Sequence, residues 1–322
     1  MTTASVGSFL GAVEDFFANL AGVGWGSLAL GLLLFGCYLA LRSRAWFNVL
    51  RAAYPEERFQ WRRIWGAYMA AYGFNNVIPA RGGDVIKVFL TRTTIPSSSY
   101  PALASSMAVE AVFDLVMAVP ILIFAFTRGA FPKPPDFASL NAFDLSFIAT
   151  HPRFTLFALT ALGLLALVAF AVLSARVRAF WARVRQGVVI LGDRHRYLRE
   201  VFAWQFAGWC LRFAAFWCLL EAFGVGGSVE NVLLVLGVNA VAAIVPFTPG
   251  GAGVQQALLV KVFAGTATGA TVAAYSVGQQ IAIGVFSLAV GFAALFGIFG
   301  FRSFRAVIAA GKESRAAEAV PR

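Results

Sequence analysis

The stretch 75–90 reads NNVIPARGGDVIKVFL, and the stretch 239–263 reads NAVAAIVPFTPGGAGVQQALLVKVF. Each opens on an asparagine, breaks at a proline and a double glycine, and restarts as an apolar helix ending in Lys-Val-Phe. Pro79 and Pro249 stop one helix and the glycines that follow permit the turn, with Asn76, Asn239 and Pro246 as further residues of the breaks. Non-helical backbone at membrane depth is tolerated only where protein or water satisfies its polar groups. Paired broken segments in the two halves of a transporter-like chain point to a midplane site built by an inverted repeat. The alternative is an ordinary pair of kinks, because Gly and Pro are common in membrane helices.

The composition around these breaks demands a membrane. Of 322 residues, 60% are hydrophobic and only 13% charged, with mean hydropathy +0.77. A soluble domain carries about 25% charged residues, so a water-soluble globule is excluded, and 15% aromatic content excludes disorder. Several apolar runs approach or exceed the ~20 residues that cross the hydrocarbon as a helix. The expected fold is an all-α polytopic membrane helix bundle with an inverted repeat and two interrupted or re-entrant segments. One integral membrane domain would cover 1–322: an interfacial N-terminal helix over 1–21, the bundle over 22–300 and a basic cytoplasmic tail over 301–322. The N-terminus lacks the basic flank of a cleaved signal and carries Glu14 and Asp15 instead.

Charge placement sets the expected topology. The net charge is +11, yet residues 1–41 hold no Lys or Arg, whereas Arg42, Arg44, Arg51, Arg58, Arg62 and Arg63 crowd the next stretch. A second arginine run covers 176–199. Loops rich in Lys and Arg stay cytoplasmic, which puts the N-terminus outside and the C-terminus inside a multi-pass protein of a bacterial inner membrane. These runs read as topology signals and headgroup contacts rather than as a nucleic-acid surface. The first span is expected over 22–41, reaching the cytoplasm at Arg42, with 42–63 lying along the inner headgroups. Further spans fall at 102–126, 154–174, 201–222 and 272–299. Parity then requires an even number of crossings in 64–95, met by a re-entrant hairpin or by two full spans, and a matching excursion in 231–264 from the opposite face.

The breaks suggest anion chemistry. Helices restarting near Asp84 and Val254 present free N–H groups and a positive dipole end, which suit phosphate. Arg81 beside the first terminus would complete a clamp, with Gly82 and Gly83 on its side and Pro249, Gly250, Gly251, Gly253, Gln255 and Gln256 on the other. Asp84 taken alone reads as a cap, and Lys87, one turn on, as its partner. Glu110 and Asp114 share one face of the 102–126 span, where each charge costs ~2.5–3.5 kcal/mol on insertion scales and needs a reason. They bind a proton or a cationic headgroup, or pair with Arg81 and Arg212. Arg212 lies mid-span on a face shared with Gln205 and Gly208. Structural ion pairing and a role in transport both stay open for these three charges.

Other features carry less chemistry. Ser276, Gln280, Gly284, Ser287 and Gly291 form a small-polar stripe that reads as a packing seam and permits a homodimer. Cys37, Cys210 and Cys218 have neither metal nor disulfide spacing and read as inert core thiols. His151 and His195 fall in expected loops on opposite sides of the membrane. No nucleophile–base pair, ligand cluster or nucleotide motif occurs, so no catalytic residue, metal or cofactor is expected, and a transport protein is favoured over an enzyme.

Three strings together resemble a known family. They are N-x-x-P-x-R-x-G-D-x-x-K at 76–87, the Glu110–Asp114 pair in VEAVFD, and P-x-T-P-G-G-x-G-V at 246–254. The chain resembles the transmembrane flippase region of lysylphosphatidylglycerol synthases, the multiple peptide resistance factor family, also found as stand-alone membrane proteins. The resemblance implies re-entrant helices around a lipid-headgroup cavity and movement of aminoacylated phosphatidylglycerol between leaflets. Asp84 and Lys87 stand where the family usually has Glu and Arg, and Gln255 and Gln256 where it usually has a Glu. No aminoacyltransferase domain is expected in the 322 residues, so the lipid need not be the lysyl one.

The resulting expectation is a lipid translocase that moves a phosphate-containing headgroup through a midplane cavity. Its partners would be the membrane and a phospholipid or polyprenyl-phosphate lipid, with no nucleic acid. The alternative is a membrane-embedded enzyme or accessory protein that handles polyprenyl-phosphate-linked sugars for a separate transferase.

Overall fold

The computed structural model describes residues 22–76, 78, 82–127, 180–242, 254–264 and 267–300. Their main helices are α1 Trp25–Ala53, α2 Trp61–Asn75, α3 Gly83–Thr94, α4 Tyr100–Thr127, α5 Ala203–Ala222, α6 Val229–Ala242, α7 Val254–Val262 and α8 Gly269–Ala294. No strand occurs among the described residues, and the segments Trp25–Ala53, Tyr100–Ala125 and Gly269–Phe299 are long and apolar enough to cross a membrane. This is an all-α membrane helix bundle.

Its two halves repeat one plan: a long helix, two short helices around a break, and another long helix. The leading helices α1 and α5 pack along each other in opposite directions. At one end the Gly24 N–H donates to the Ala222 carbonyl at 2.8 Å; at the other the Asn48 amide donates to the Glu200 carbonyl at 2.6 Å. Because each half begins on one of these antiparallel helices, the halves are inverted with respect to each other. They also exchange partners: α2 of the first half lies against α8 of the second, and α6 of the second against α4 of the first. Small residues set the approach of α2 to α8. A Cβ at Gly73 would sit 2.6 Å from the Ser287 carbonyl oxygen, and one at Gly291 would sit 3.0 Å from that of Met69. The Ser287 and Gly291 part of the small-residue stripe is therefore a seam within this chain.

Length decides how the broken segments enter the membrane. At 1.5 Å per residue, α2 and α3 reach about 22 and 18 Å, short of the ~30 Å hydrocarbon core. Both ends of this hairpin return to the C-terminal half of α1 and the residue after it. The Trp61 indole donates to the Ser43 hydroxyl at 3.1 Å, and the Ser99 N–H donates to the Tyr54 hydroxyl at 3.4 Å. Burial pushes the Tyr54 phenol above its ordinary pKa, so it stays protonated. Helices this short, with both ends on one side of the bundle, fit a re-entrant hairpin over 64–95 better than two crossings. The described parts of α6 and α7 hold 14 and 9 residues and flank the stretch 243–253, which lies outside the described residues. They leave from the Ala222 end of α5, and α8 starts on that same side, where Gly278 packs against the Phe223 ring. The described ends of the second excursion therefore lie at the end of the bundle opposite to those of the first.

One sequence expectation is corrected here. The first long helix does not end at Leu41 but runs on to Ala53. Arg42 is accordingly buried within the bundle, 5% exposed. The apolar residues Ala45, Trp46, Phe47, Val49 and Leu50 explain the continuation: they pack into the core, and the Trp46 indole donates to Ser106 of α4 at 3.0 Å. Cys37 and Cys210 are also exposed on the helix surfaces rather than in the core. The N-terminal segment 1–21, the expected span 154–174, the tail 301–322 and the break residues Pro79, Arg81, Pro246, Pro249, Gly250, Gly251 and Gly253 lie outside the described residues.

Candidate functional site

Where the halves meet, a cavity of about 430 Å³ is walled by residues of α1 through α6. Its charged lining comprises Arg42, Asp84, Lys87, Glu110, Asp114 and Arg212, and its neutral polar lining includes Tyr38, Tyr68, Asn75 and Asn239. Four of the sequence-derived candidates beyond the breaks, Lys87, Glu110, Asp114 and Arg212, thus converge on one space from three different helices.

Their pairing differs from the sequence expectation. Lys87 does not take Asp84 as its ion-pair partner; its ammonium donates to Glu110 Oε2 at 3.0 Å. Asp114 does not pair with Arg212, and Arg81 lies outside the described residues. The Asp114 carboxylate accepts from both terminal nitrogens of Arg42, one of them at 2.8 Å. The Arg42 Nε also donates to the Tyr68 hydroxyl at 3.2 Å. Such a forked guanidinium–carboxylate contact is geometrically exacting and strong in a low dielectric.

Aromatic faces complete the electrostatics. The Lys87 ammonium lies 3.9 Å from the Trp46 ring centroid and 4.2 Å from that of Tyr68, close enough for favourable cation–π attraction. Tyr38 is flanked by two guanidinium groups, Arg42 at 5.9 Å and Arg212 at 5.8 Å. Arg212 also lies 5.8 Å from the Phe216 ring. Among the described residues no carboxylate pairs with Arg212.

Each break is latched by an asparagine. Asn75, in the last turn of α2, accepts the Gly83 N–H through Oδ1 at 2.8 Å and donates to Asp84 Oδ1 at 3.1 Å. The first N–H of α3 is thereby satisfied by protein, and Asp84 sits in the first turn rather than at the cap. Glycine is required at 83, because a Cβ there would collide with the Ala71 carbonyl oxygen. In the second half the Gln255 amide donates to Asn239 Oδ1 at 2.8 Å, which links the start of α7 to α6 as Asn75 links α3 to α2. Gln256 turns elsewhere and bonds Gln280 of α8. Asn76 only caps α2, donating to the Tyr72 carbonyl at 3.0 Å, and Gly82 precedes α3 without lining the cavity.

Sequence reading missed Arg42, Tyr38, Tyr68, Trp46 and Asn75. A signal for Arg42 was present: Asp114 in mid-span needed a cation, and Arg42 is the arginine nearest the apolar centre of the first long helix. Arg42 was instead grouped with the basic loop that follows it. Three carboxylates and three cations in one cavity can hold a charged group away from water.

Comparison with known proteins agrees with this architecture. No curated protein and no solved structure matches the chain. The family described as "Lysylphosphatidylglycerol synthase TM region" matches residues 3–291, spanning both halves of the repeat and every charged residue of the cavity. The chain belongs to the lysylphosphatidylglycerol synthase transmembrane-region family, and it is a membrane protein with a lipid-related role.

Proposed function

We propose that the protein is a lipid translocase whose cavity holds a phosphate headgroup in transit between leaflets, with Arg212 as the phosphate contact. The observation that carries this reading is the charge arrangement. Arg42 and Lys87 are each engaged by a carboxylate, whereas Arg212 lines the cavity beside two ring faces and, among the described residues, pairs with no carboxylate. A volume of about 430 Å³ suits a headgroup rather than whole acyl chains. Asp114 and Leu115 belong to the cavity wall and are also exposed on the surface of α4. Acyl or isoprenyl chains could then stay in the bilayer while the headgroup occupies polar ground.

Arg81, with Gly82, Gly83, Asp84 and the Gly250–Gly251 break, would add to the headgroup site from the two re-entrant segments. The basic runs support a cytoplasmic placement for the Ala53 end. The Gln186 amide donates to the Ala53 carbonyl at 3.0 Å, so the two arginine-rich stretches meet at one end of the bundle. The reading is tested in proteoliposomes with acyl-labelled phosphatidylglycerol and a labelled polyprenyl phosphate, scored by access of a membrane-impermeant quencher. Movement of one of them that is lost in Arg212→Ala and partly kept in Arg212→Lys supports it. Equal movement in all three proteins overturns the role of Arg212, and absence of movement from folded wild type overturns the translocase.

A further inference from the structure

We infer that Arg44, cradled by Phe47, Trp61 and Trp204 on the outer surface of the bundle, binds the phosphate of an anionic phospholipid at a site separate from the cavity. The inference does not rest on the translocase reading.

Position along α1 sets the depth of this site. Arg42 lines the cavity, and Arg44, two residues on and about 200° round the helix, does not. The exposed Trp25 and Arg44 are about 28 Å apart along α1 at 1.5 Å per residue. That span is close to the ~30 Å hydrocarbon thickness, so Arg44 lies at headgroup level when Trp25 anchors the other interface.

Three helices build the cradle. The Arg44 guanidinium carbon lies 4.9 Å from the ring centroid of Phe47 in α1, 5.7 Å from that of Trp61 in α2 and 5.9 Å from that of Trp204 in α5. Both tryptophans are exposed, so the cradle opens outward. Ring faces attract the cation, but they do not replace hydrogen-bond acceptors for its N–H donors. Among the described residues no carboxylate pairs with Arg44. Glu200, one turn before Trp204, is held by Arg196 at 3.1 Å, and neither Glu56 nor Glu57 of the loop after α1 reaches it.

Arg51, exposed on the same face of α1, adds a second guanidinium 5.8 Å from the Phe47 ring. One ring thus has two cations beside it, and the missing partner is an anion. A phosphodiester at headgroup depth supplies it: its oxygens suit the planar guanidinium fork, and its acyl chains stay in the bilayer. Bound there, the lipid ties the start of α2 and the start of α5 to α1.

The test uses full-length protein stripped of lipid in a nonionic detergent, titrated with phosphatidylglycerol and read by native mass spectrometry. Arg44→Gln should weaken retention of one lipid by about tenfold or more, and Arg44→Lys by less. Trp204→Leu, which keeps the arginine, should also weaken it and decides the matter if Arg44→Gln does not fold. Unchanged retention in the folded variants overturns the site. The loss should be the same in an Arg212→Ala background, and a loss that vanishes there merges this site with the cavity and overturns its separateness. Diacylglycerol retained as well as phosphatidylglycerol overturns the phosphate contact. The thermal midpoint should rise with phosphatidylglycerol and not with inorganic phosphate, and an equal rise with both overturns the lipid as occupant. If no lipid moves in proteoliposomes, the translocase reading fails on its own and retention still decides this site.

Discussion

Arg42 and Asp114 stand 72 residues apart, on the first long helices to either side of the α2–α3 hairpin, and meet in a two-nitrogen ion pair at the cavity wall. The pair is unequally buried: the Arg42 side chain is 6% exposed and that of Asp114 47%. A buried charge that loses its partner costs about 3–5 kcal/mol, whereas a half-exposed one is resolvated in part. Asp114→Ala should therefore lower stability more than Arg42→Ala. Thermal or denaturant unfolding of both variants in detergent checks the order, and the reverse order would mean that the arginine is the better solvated partner.

The asparagine latch on the first break is open to a sharper test. Asn75→Ala removes the acceptor of the Gly83 N–H and a donor to Asp84, losses comparable to a helix cap at about 0.5–2 kcal/mol. Asn75→Asp keeps the acceptor but places a second carboxylate against Asp84, so it should be no better than alanine. Stability midpoints of the two variants decide this, and a neutral Asn75→Ala would remove the latch from the account.

Glycine positions separate crowded contacts from open ones. Gly83→Ala forces a methyl into the Ala71 carbonyl and should cost about 1–3 kcal/mol as overpacking. Gly284 has nothing within 4 Å of an added Cβ, so Gly284→Ala should be neutral or raise stability by up to about 1 kcal/mol through helix propensity. Parallel melts of the two proteins measure the contrast, and a harmless Gly83→Ala would show that α2 and α3 are less tightly apposed.

The re-entrant geometry predicts which loops share a side of the membrane. With Cys37, Cys210 and Cys218 replaced, cysteines placed at Glu56 and Ser97 should react with an impermeant maleimide from one face. Those at Glu230 and Gly269 should react from the other face. Labelling of 56 and 97 from opposite faces would require an odd number of crossings between them and refute the hairpin.

Much of the architecture was legible in the residues because it depends on local properties. Hydropathy over about 20 residues identifies a span wherever it packs, and Pro with double Gly ends a helix whatever surrounds it. The similar strings at 75–90 and 239–263 accordingly exposed the repeat, and α3 does restart at Gly83. Basic residues between apolar runs likewise announced which loops belong together.

What the residues alone left open was partner choice and depth. Lys87 had Asp84 one turn away on its own helix, yet it reaches Glu110 because α3 packs beside α4 and the pair is sheltered under Trp46 and Tyr68. Arg42 looked like the first residue of a cytoplasmic loop, and only the packing of α1 along α5 and α4 carries it into the bundle opposite Asp114. Hydropathy is carried by each residue wherever it goes. The pairing of one charge among several chemically equivalent opposites is a matter of distance, and distances between helices exist only once the bundle has closed.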